Sequence, residues 1–259
     1  MKTMKFDVAD RVARITFTRP EALNSITEDV IAELNQVCDR IDEDPGVRTL
    51  VITGSEDAFC VGLDLELLKR AFSDPPFFQS ILEAYGGLLT RLAGTEVPVI
   101  AAVNGTARAG GFELTLACDH VVLAEEARVG DVHSPFGVIP GGGSTQRLPR
   151  LVGRQRAFDL IATGRWLRPG EAVASGLAAA SVPRIRLDEA VDRLVADLVS
   201  KPRALLATVK RLVRTATDTR LEEGLGLEIA AFVDRLRAEG SEAVEGFTAF
   251  IEGRTPDWA

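Results

Sequence analysis

Apolar and polar positions alternate from Lys5 to Thr18 around Ala9-Asp10-Arg11, the period-two pattern of a β-hairpin. Arg19-Pro20 stops it. After RPEALNSIT the spacing becomes that of an amphipathic helix, with Thr27 as N-cap, Glu28 and Asp29 in the first turn, and an end at Asp44 before Pro45-Gly46. Val47 to Thr53 is a continuous apolar run and reads as a buried strand. Gly54 to Asp64, GSEDAFCVGLD, is a turn bearing Gly62. Helical spacing follows, breaks from Phe72 to Pro76, and resumes from Phe77 to Ala93. Val97 to Val103 is again strand-like; Asn104-Gly105 and Gly110-Gly111 then lead into FELTLAC, whose apolar residues suit a buried helix. The unit of strand, glycine turn and helix therefore occurs at Gly62 and again at Gly110, which predicts a spiral of similar turns.

Val121 to Ala124 and Ala127 to Val129 read as short strands. In HSPFGVIPGGGSTQRLPR, Pro140 and Gly141 to Gly143 form a tight loop that enters a helix at Ser144. Helix dominates from about Arg154, with only Leu177 to Val182 as a further strand. Leu187 to Arg254 is almost entirely amphipathic helix, and its apolar face must be covered by the spiral or by another subunit. The predicted organisation is an α/β fold, with a spiral core carrying the active site over residues 1–185 and a helical region over 186–259.

Composition narrows the function classes. A formal net charge of −8 argues against a general nucleic-acid or anionic-membrane binder, although a local basic patch could receive a phosphorylated ligand. No apolar run reaches the length needed to cross a bilayer, and the first residues lack the apolar core of a signal peptide. Cys38, Cys60 and Cys118 show neither metal spacing nor a disulfide framework. No metal is expected, and the expected compartment is the reducing cytoplasm.

Chemistry concentrates around the glycine turns. The first N–H groups of a helix lack intrahelical partners and lie at its positive end, so a helix opened by Gly110-Gly111 offers a donor for an oxyanion, with Gly110 as the candidate. Glu113 stands about one turn further on. Acidic residues in a first turn commonly offset the dipole, but Phe112, Leu114, Leu116 and Ala117 leave this helix almost no polar face. Glu113 is thus either a cap or a buried acid-base group. The Leu63 N–H, in the other glycine turn, supplies a second donor if that turn is functional. Asp131 and His133 are one residue apart; in an extended segment both point the same way, and Asp131 would orient the imidazole and favour its charged form. The bland alternative is a surface aspartate and a histidine satisfied by backbone. His120 reads as structural. GGGST lacks the lysine of a P-loop, and GTARAGG lacks dinucleotide-binding spacing.

AFCVGLD at 58 to 64, VNGTARAGGFELTLACD at 103 to 119 and FGVIPGGGSTQRLPRLVG at 136 to 153 closely resemble the crotonase superfamily, that is, enoyl-CoA hydratase/isomerase. RPEALNSIT and the ending EGFTAFIEGRTPDW are also similar to it. The resemblance implies a crotonase-type spiral of ββα turns with a C-terminal helical trimerisation region, assembled as a trimer or dimer of trimers. It implies an acyl-CoA ligand whose thioester oxygen sits between the N–H groups of Leu63 and Gly110, with Ala22, Leu23 and Asp64 in segments lining the coenzyme A channel. Coenzyme A is then part of the substrate and no separate cofactor is expected. Glu113 matches the first glutamate of a typical hydratase, and His133 occupies the position of the second. The expected reaction is hydration of an enoyl-CoA, with Glu113 as base on water and His133, oriented by Asp131, supplying the second proton. The same substitution admits a C–C bond hydrolase. A double-bond isomerase and a non-catalytic coenzyme A- or RNA-binding relative are further alternatives, the RNA case disfavoured by the acidic charge.

Overall fold

The hairpin forms between β1 (Met4–Ala9) and β2 (Val12–Phe17), joined by Asp10 and Arg11 at φ 51° and 68°, the positive angles that match a two-residue turn to strand twist. The computed structural model describes residues 1–238 and 240–258. Thr27 Oγ1 accepts from the Val30 N–H at 3.2 Å and caps α1 (Glu28–Glu43), whose Val30, Leu34, Val37 and Ile41 enter the core. β3 (Thr49–Thr53) and β4 (Ala58–Cys60) lead into α2 (Leu65–Ser73) and α3 (Pro75–Gly94). The break between these helices is narrower than the sequence pattern suggests. Pro75 and Pro76 sit in the first turn of α3, where proline forfeits no hydrogen bond, and Asp74 caps it through the Phe77 N–H at 3.1 Å.

The next turns comprise β5 (Val99–Val103), β6 (Thr106–Arg108) and α4 (Gly110–Leu116), then β7 (His120–Ala124), β8 (Val129–Gly130), α5 (Ser144–Val152), α6 (Arg154–Thr163) and α7 (Pro169–Ala174). β9 (Ala180–Val182) closes the sheet order β1-β2-β3-β5-β7-β9, parallel beyond the first hairpin. A second parallel sheet, β4-β6-β8, is built from the short strands inside the turns. Each repeat gives one strand to each sheet, so the strand-turn-helix unit is in fact ββα. Strands of two or three residues carry no readable period, which is why only the longer partner shows in the apolar pattern.

α8 (Leu187–Val199) begins the helical region but packs on β3, β5 and β7 with Leu187, Val191 and Val195 buried, so its apolar face is covered by the spiral. α9 (Arg203–Thr215), α10 (Leu221–Arg237) and α11 (Glu242–Glu252) follow. α9 is fastened by Lys210, whose side chain is 6% exposed and whose Nζ lies 2.7 Å from Asp119 Oδ2, with Thr95 Oγ1 and Val97 O also accepting. Among the described residues, Lys210→Met leaves the Asp119 carboxylate with only the Val99 N–H at 2.8 Å. Removing one partner of a buried pair leaves an uncompensated charge, and with Asp119 partly solvated the expected loss is about 2–3 kcal/mol. Urea denaturation reads it as a lower midpoint at unchanged slope.

Candidate active site

The two glycine turns meet in space. Gly62, at φ 93°, lies so close to the start of α4 that a Cβ on it would stand 3.0 Å from Gly110 N and from Ala109 Cβ. Both the angle and the approach require glycine there. Ile26 N–H donates to Gly62 O at 2.8 Å and Asp64 N–H donates to Ile26 O at 2.9 Å, a parallel bridge that turns the intervening Leu63 N–H the other way. Among the described residues neither the Leu63 N–H nor the Gly110 N–H donates to a protein acceptor. Two unpaired donors on adjoining turns are the arrangement that an oxyanion needs.

Glu113 is 2% exposed, and its Oε1 accepts from the Gly142 N–H at 2.7 Å and the Ser144 N–H at 3.1 Å. The three-glycine loop thereby orients the carboxylate. A Cβ on Gly142 would come within 2.5 Å of Glu113 Oε2 and 3.0 Å of Tyr85 Cε1, so the loop passes here only as bare backbone. Burial raises the Glu113 pKa above its ordinary 4.5. The Ser144 N–H, the charge of His133 and the Gly142 N–H pull it down, while Asp131 pushes it up. A carboxyl raised in this way is better matched to accepting a proton near neutral pH.

Asp131 and His133 come together, though not as an extended segment predicts. Val132 has φ 51° and His133 opens the 3₁₀ turn Ser134–Phe136 in helical conformation, so a kink brings the side chains into contact. The distance from His133 Nδ1 to Asp131 Oδ1 is 3.0 Å. Asp131 is 1% exposed and its Oδ2 has no hydrogen-bond partner among the described residues. Burial alone would depress His133, but the hydrogen bond and charge of Asp131, with the charge of Glu113, outweigh it and raise the imidazole above its ordinary 6.5; Arg108 opposes them. Pairing of β6 with β8 carries this segment to α4, because Ala109 N–H donates to Gly130 O at 3.2 Å.

The remaining expected residues lie around the Leu63 turn. Ala22 closes the 3₁₀ turn Pro20–Ala22, and Leu23 follows at φ 50° and 51% exposed. The Asp64 carboxylate is committed to protein partners: Ser25 Oγ at 2.8 Å, Arg19 Nη2 at 3.2 Å, and the Glu66 N–H at 3.0 Å, through which it caps α2. Burial works against its ionisation, but these donors win and hold it below the usual carboxylate range.

Sequence reasoning missed the groups that hold the turns. Asn24 Nδ2 donates to Ala58 O at 2.8 Å, and Asn104 accepts from the Gly54 N–H at 2.9 Å while donating to Glu56 O at 2.9 Å. Tyr85 is 2% exposed and donates to Gly110 O at 2.6 Å. An amide directly after a buried apolar strand is the local signal that Asn104 carries; the others become visible only through contacts across the fold. Among the described residues no group of three or more His, Cys, Asp or Glu is placed to hold a metal ion.

Comparison with known proteins agrees along the whole length. The enoyl-CoA hydratase/isomerase family model matches residues 7–259. The probable enoyl-CoA hydratase echA8 of Mycobacterium tuberculosis is 37% identical over 260 residues, covering 99% of this chain and 98% of that one. The mitochondrial enoyl-CoA hydratase of Pongo abelii is 35% identical over 244 residues, covering 94% and 82%. The crystal structure of enoyl-CoA hydratase from Bacillus anthracis superposes with a TM-score of 0.93 at 32% identity, covering 99% and 98%. The ββα spiral and its helical end are thus those of the crotonase fold, and this chain belongs to the enoyl-CoA hydratase/isomerase family.

Proposed function

We propose that the protein is an enoyl-CoA hydratase that adds water across the 2,3 double bond of an acyl-CoA thioester. The observation that carries this reading is the loop-held, buried Glu113 one turn beyond the unpaired Gly110 N–H, within electrostatic reach of the Asp131–His133 pair. Glu113 takes a proton from water as the water oxygen bonds to C3. The π electrons move onto the thioester, and the N–H groups of Leu63 and Gly110 stabilise the resulting enolate oxygen. His133, its Nδ1 proton turned to Asp131, delivers a proton from Nε2 to C2. Return of the proton from Glu113 to His133 through solvent restores the site. Ala22, Leu23 and the backbone at Asp64 line the coenzyme A channel, and coenzyme A enters only as part of the substrate.

The Asp131–His133 contact also favours a second reading, cleavage of a C–C bond in a β-dicarbonyl compound. There His133 activates water against a carbonyl carbon and the same N–H pair receives the enolate leaving group. Mass spectrometry of trans-2-enoyl-CoA thioesters and cyclic β-diketones incubated with the protein separates the two: gain of one water by the thioester supports hydration, whereas diketone cleavage with the thioesters untouched replaces it.

A homo-oligomer, a trimer or dimer of trimers, is part of the proposal. It is supported by apolar side chains left exposed on α9 to α11, among them Val213, Leu221, Ile229, Phe232, Phe250 and Ile251. A cytoplasmic location is supported by cysteines held as free thiols. No helix among the described residues is long and apolar enough to cross a membrane.

A further inference from the structure

The three-glycine loop that grips Glu113 is itself gripped from below. Arg147, in the first turns of α5, donates from Nη1 to Gly142 O at 2.8 Å and from Nη2 to Thr90 Oγ1 on α3 at 3.3 Å. Its backbone N–H donates to Gly143 O at 2.8 Å. The Gly142 carbonyl lies between the two N–H groups, of Gly142 and Ser144, that hold Glu113 Oε1. A Cβ on Gly143 would strike Arg147 Nη1, so the guanidinium lies directly against the loop. One fork thus ties α3, α5 and the loop together, one peptide unit away from the carboxylate.

We propose that Arg147 is a positioning residue for Glu113: through the Gly142 carbonyl it fixes the loop that orients the carboxylate. This rests on Glu113 acting as the base in hydration. The fork geometry matters because a planar guanidinium serves two acceptors at once in fixed directions, which a flexible ammonium does not. Glu113 is faced by Tyr85 from α3, Arg147 from α5, and Asp131 and His133 from the segment after β8. Arg147 is faced by Glu113, Tyr85 and Arg214 of α9. Burial disfavours the Arg147 cation; Glu113 and Tyr85 oppose that effect, and Arg214 adds to it. As the Glu113 charge favours the Arg147 cation, the Arg147 charge favours ionised Glu113, in the same sense as His133 and against Asp131.

The test compares wild type with Arg147→Gln and Arg147→Lys. Infrared difference spectroscopy follows the protonated Glu113 carboxyl, its band assigned by loss in Glu113→Gln, and is read beside the pH profile of enoyl-CoA hydration. In Arg147→Gln the band persists to higher pH and the acidic limb of kcat/KM moves the same way. Its kcat falls about 10- to 100-fold, the scale of a misplaced catalytic group, while KM is unchanged. Arg147→Lys returns the titration to its wild-type position but leaves kcat reduced. A wild-type titration midpoint in Arg147→Gln overturns the proposal, because a merely structural loop residue would lower kcat without moving it. Where Arg147→Gln does not fold, the neutral Arg147→Met is titrated in its place: a carboxyl band that persists to higher pH supports the role, and a wild-type midpoint ends it. If the wild-type protein hydrates no enoyl-CoA, the hydratase reading fails, and the infrared titration still decides whether Arg147 acts on Glu113.

Discussion

Glu113→Gln lowers kcat for enoyl-CoA hydration by about 10³- to 10⁴-fold, the upper range for loss of a general base, and leaves thioester affinity unchanged. The size follows from what the substitution preserves. A glutamine carbonyl oxygen still accepts from the Gly142 and Ser144 N–H groups at the present 2.7 and 3.1 Å, so the loop and the neighbouring N–H donors keep their places. Only the capacity to take a proton from water is lost. Steady-state kinetics gives the drop, and calorimetric titration with an unreactive acyl-CoA gives the affinity. Turnover near the wild-type rate would remove Glu113 from the reaction.

His133→Ala lowers kcat by about 10²- to 10³-fold and erases the basic limb of the kcat/KM profile. In the wild type the acidic limb follows deprotonation of Glu113, which burial raises above 4.5. The basic limb follows deprotonation of His133, which Asp131 and Glu113 hold above 6.5 against the effect of burial. Activity therefore peaks between two raised values. Loss of the imidazolium also removes a charge that favours ionised Glu113 while Asp131 remains, so the acidic limb of the variant moves to higher pH. The contact has a matching effect on stability. A histidine raised on folding contributes fully below its ordinary 6.5, and that contribution is lost as pH rises through the raised value. A variant that keeps the basic limb would transfer the second proton to another group.

The fold was legible wherever a pattern ran long enough to show its period. The hairpin, α1 with its Thr27 cap, and the buried runs of β3 and β5 stand close to where the apolar spacing puts them. The second sheet was not legible by period, since β4, β6 and β8 are too short and lie inside glycine turns. Pro75-Pro76 reads as a break in sequence yet starts a helix, because the penalty of proline depends on its place in the helix rather than on its presence. At the site, the chemistry-bearing residues carried local signals: a carboxylate in an apolar helix, glycine pairs after strands, and a histidine beside an aspartate.

Neighbours along the chain were enough to show the repeated strand-turn-helix plan, the family, and Gly110, Glu113, Asp131 and His133 as candidates, because each of these signals is local. How they meet depends on the folded chain. The fold sets the Gly62 turn against Gly110, kinks the chain at Val132 to join Asp131 to His133, and lays the Gly142 loop across Glu113 with Arg147 beneath it. The approaches of Gly62 to Gly110 and of Gly142 to Glu113 span tens of residues. They arise from parallel strand pairing and close backbone approach, which leave no periodic trace in composition and become definite only when the sheets stack the turns in register.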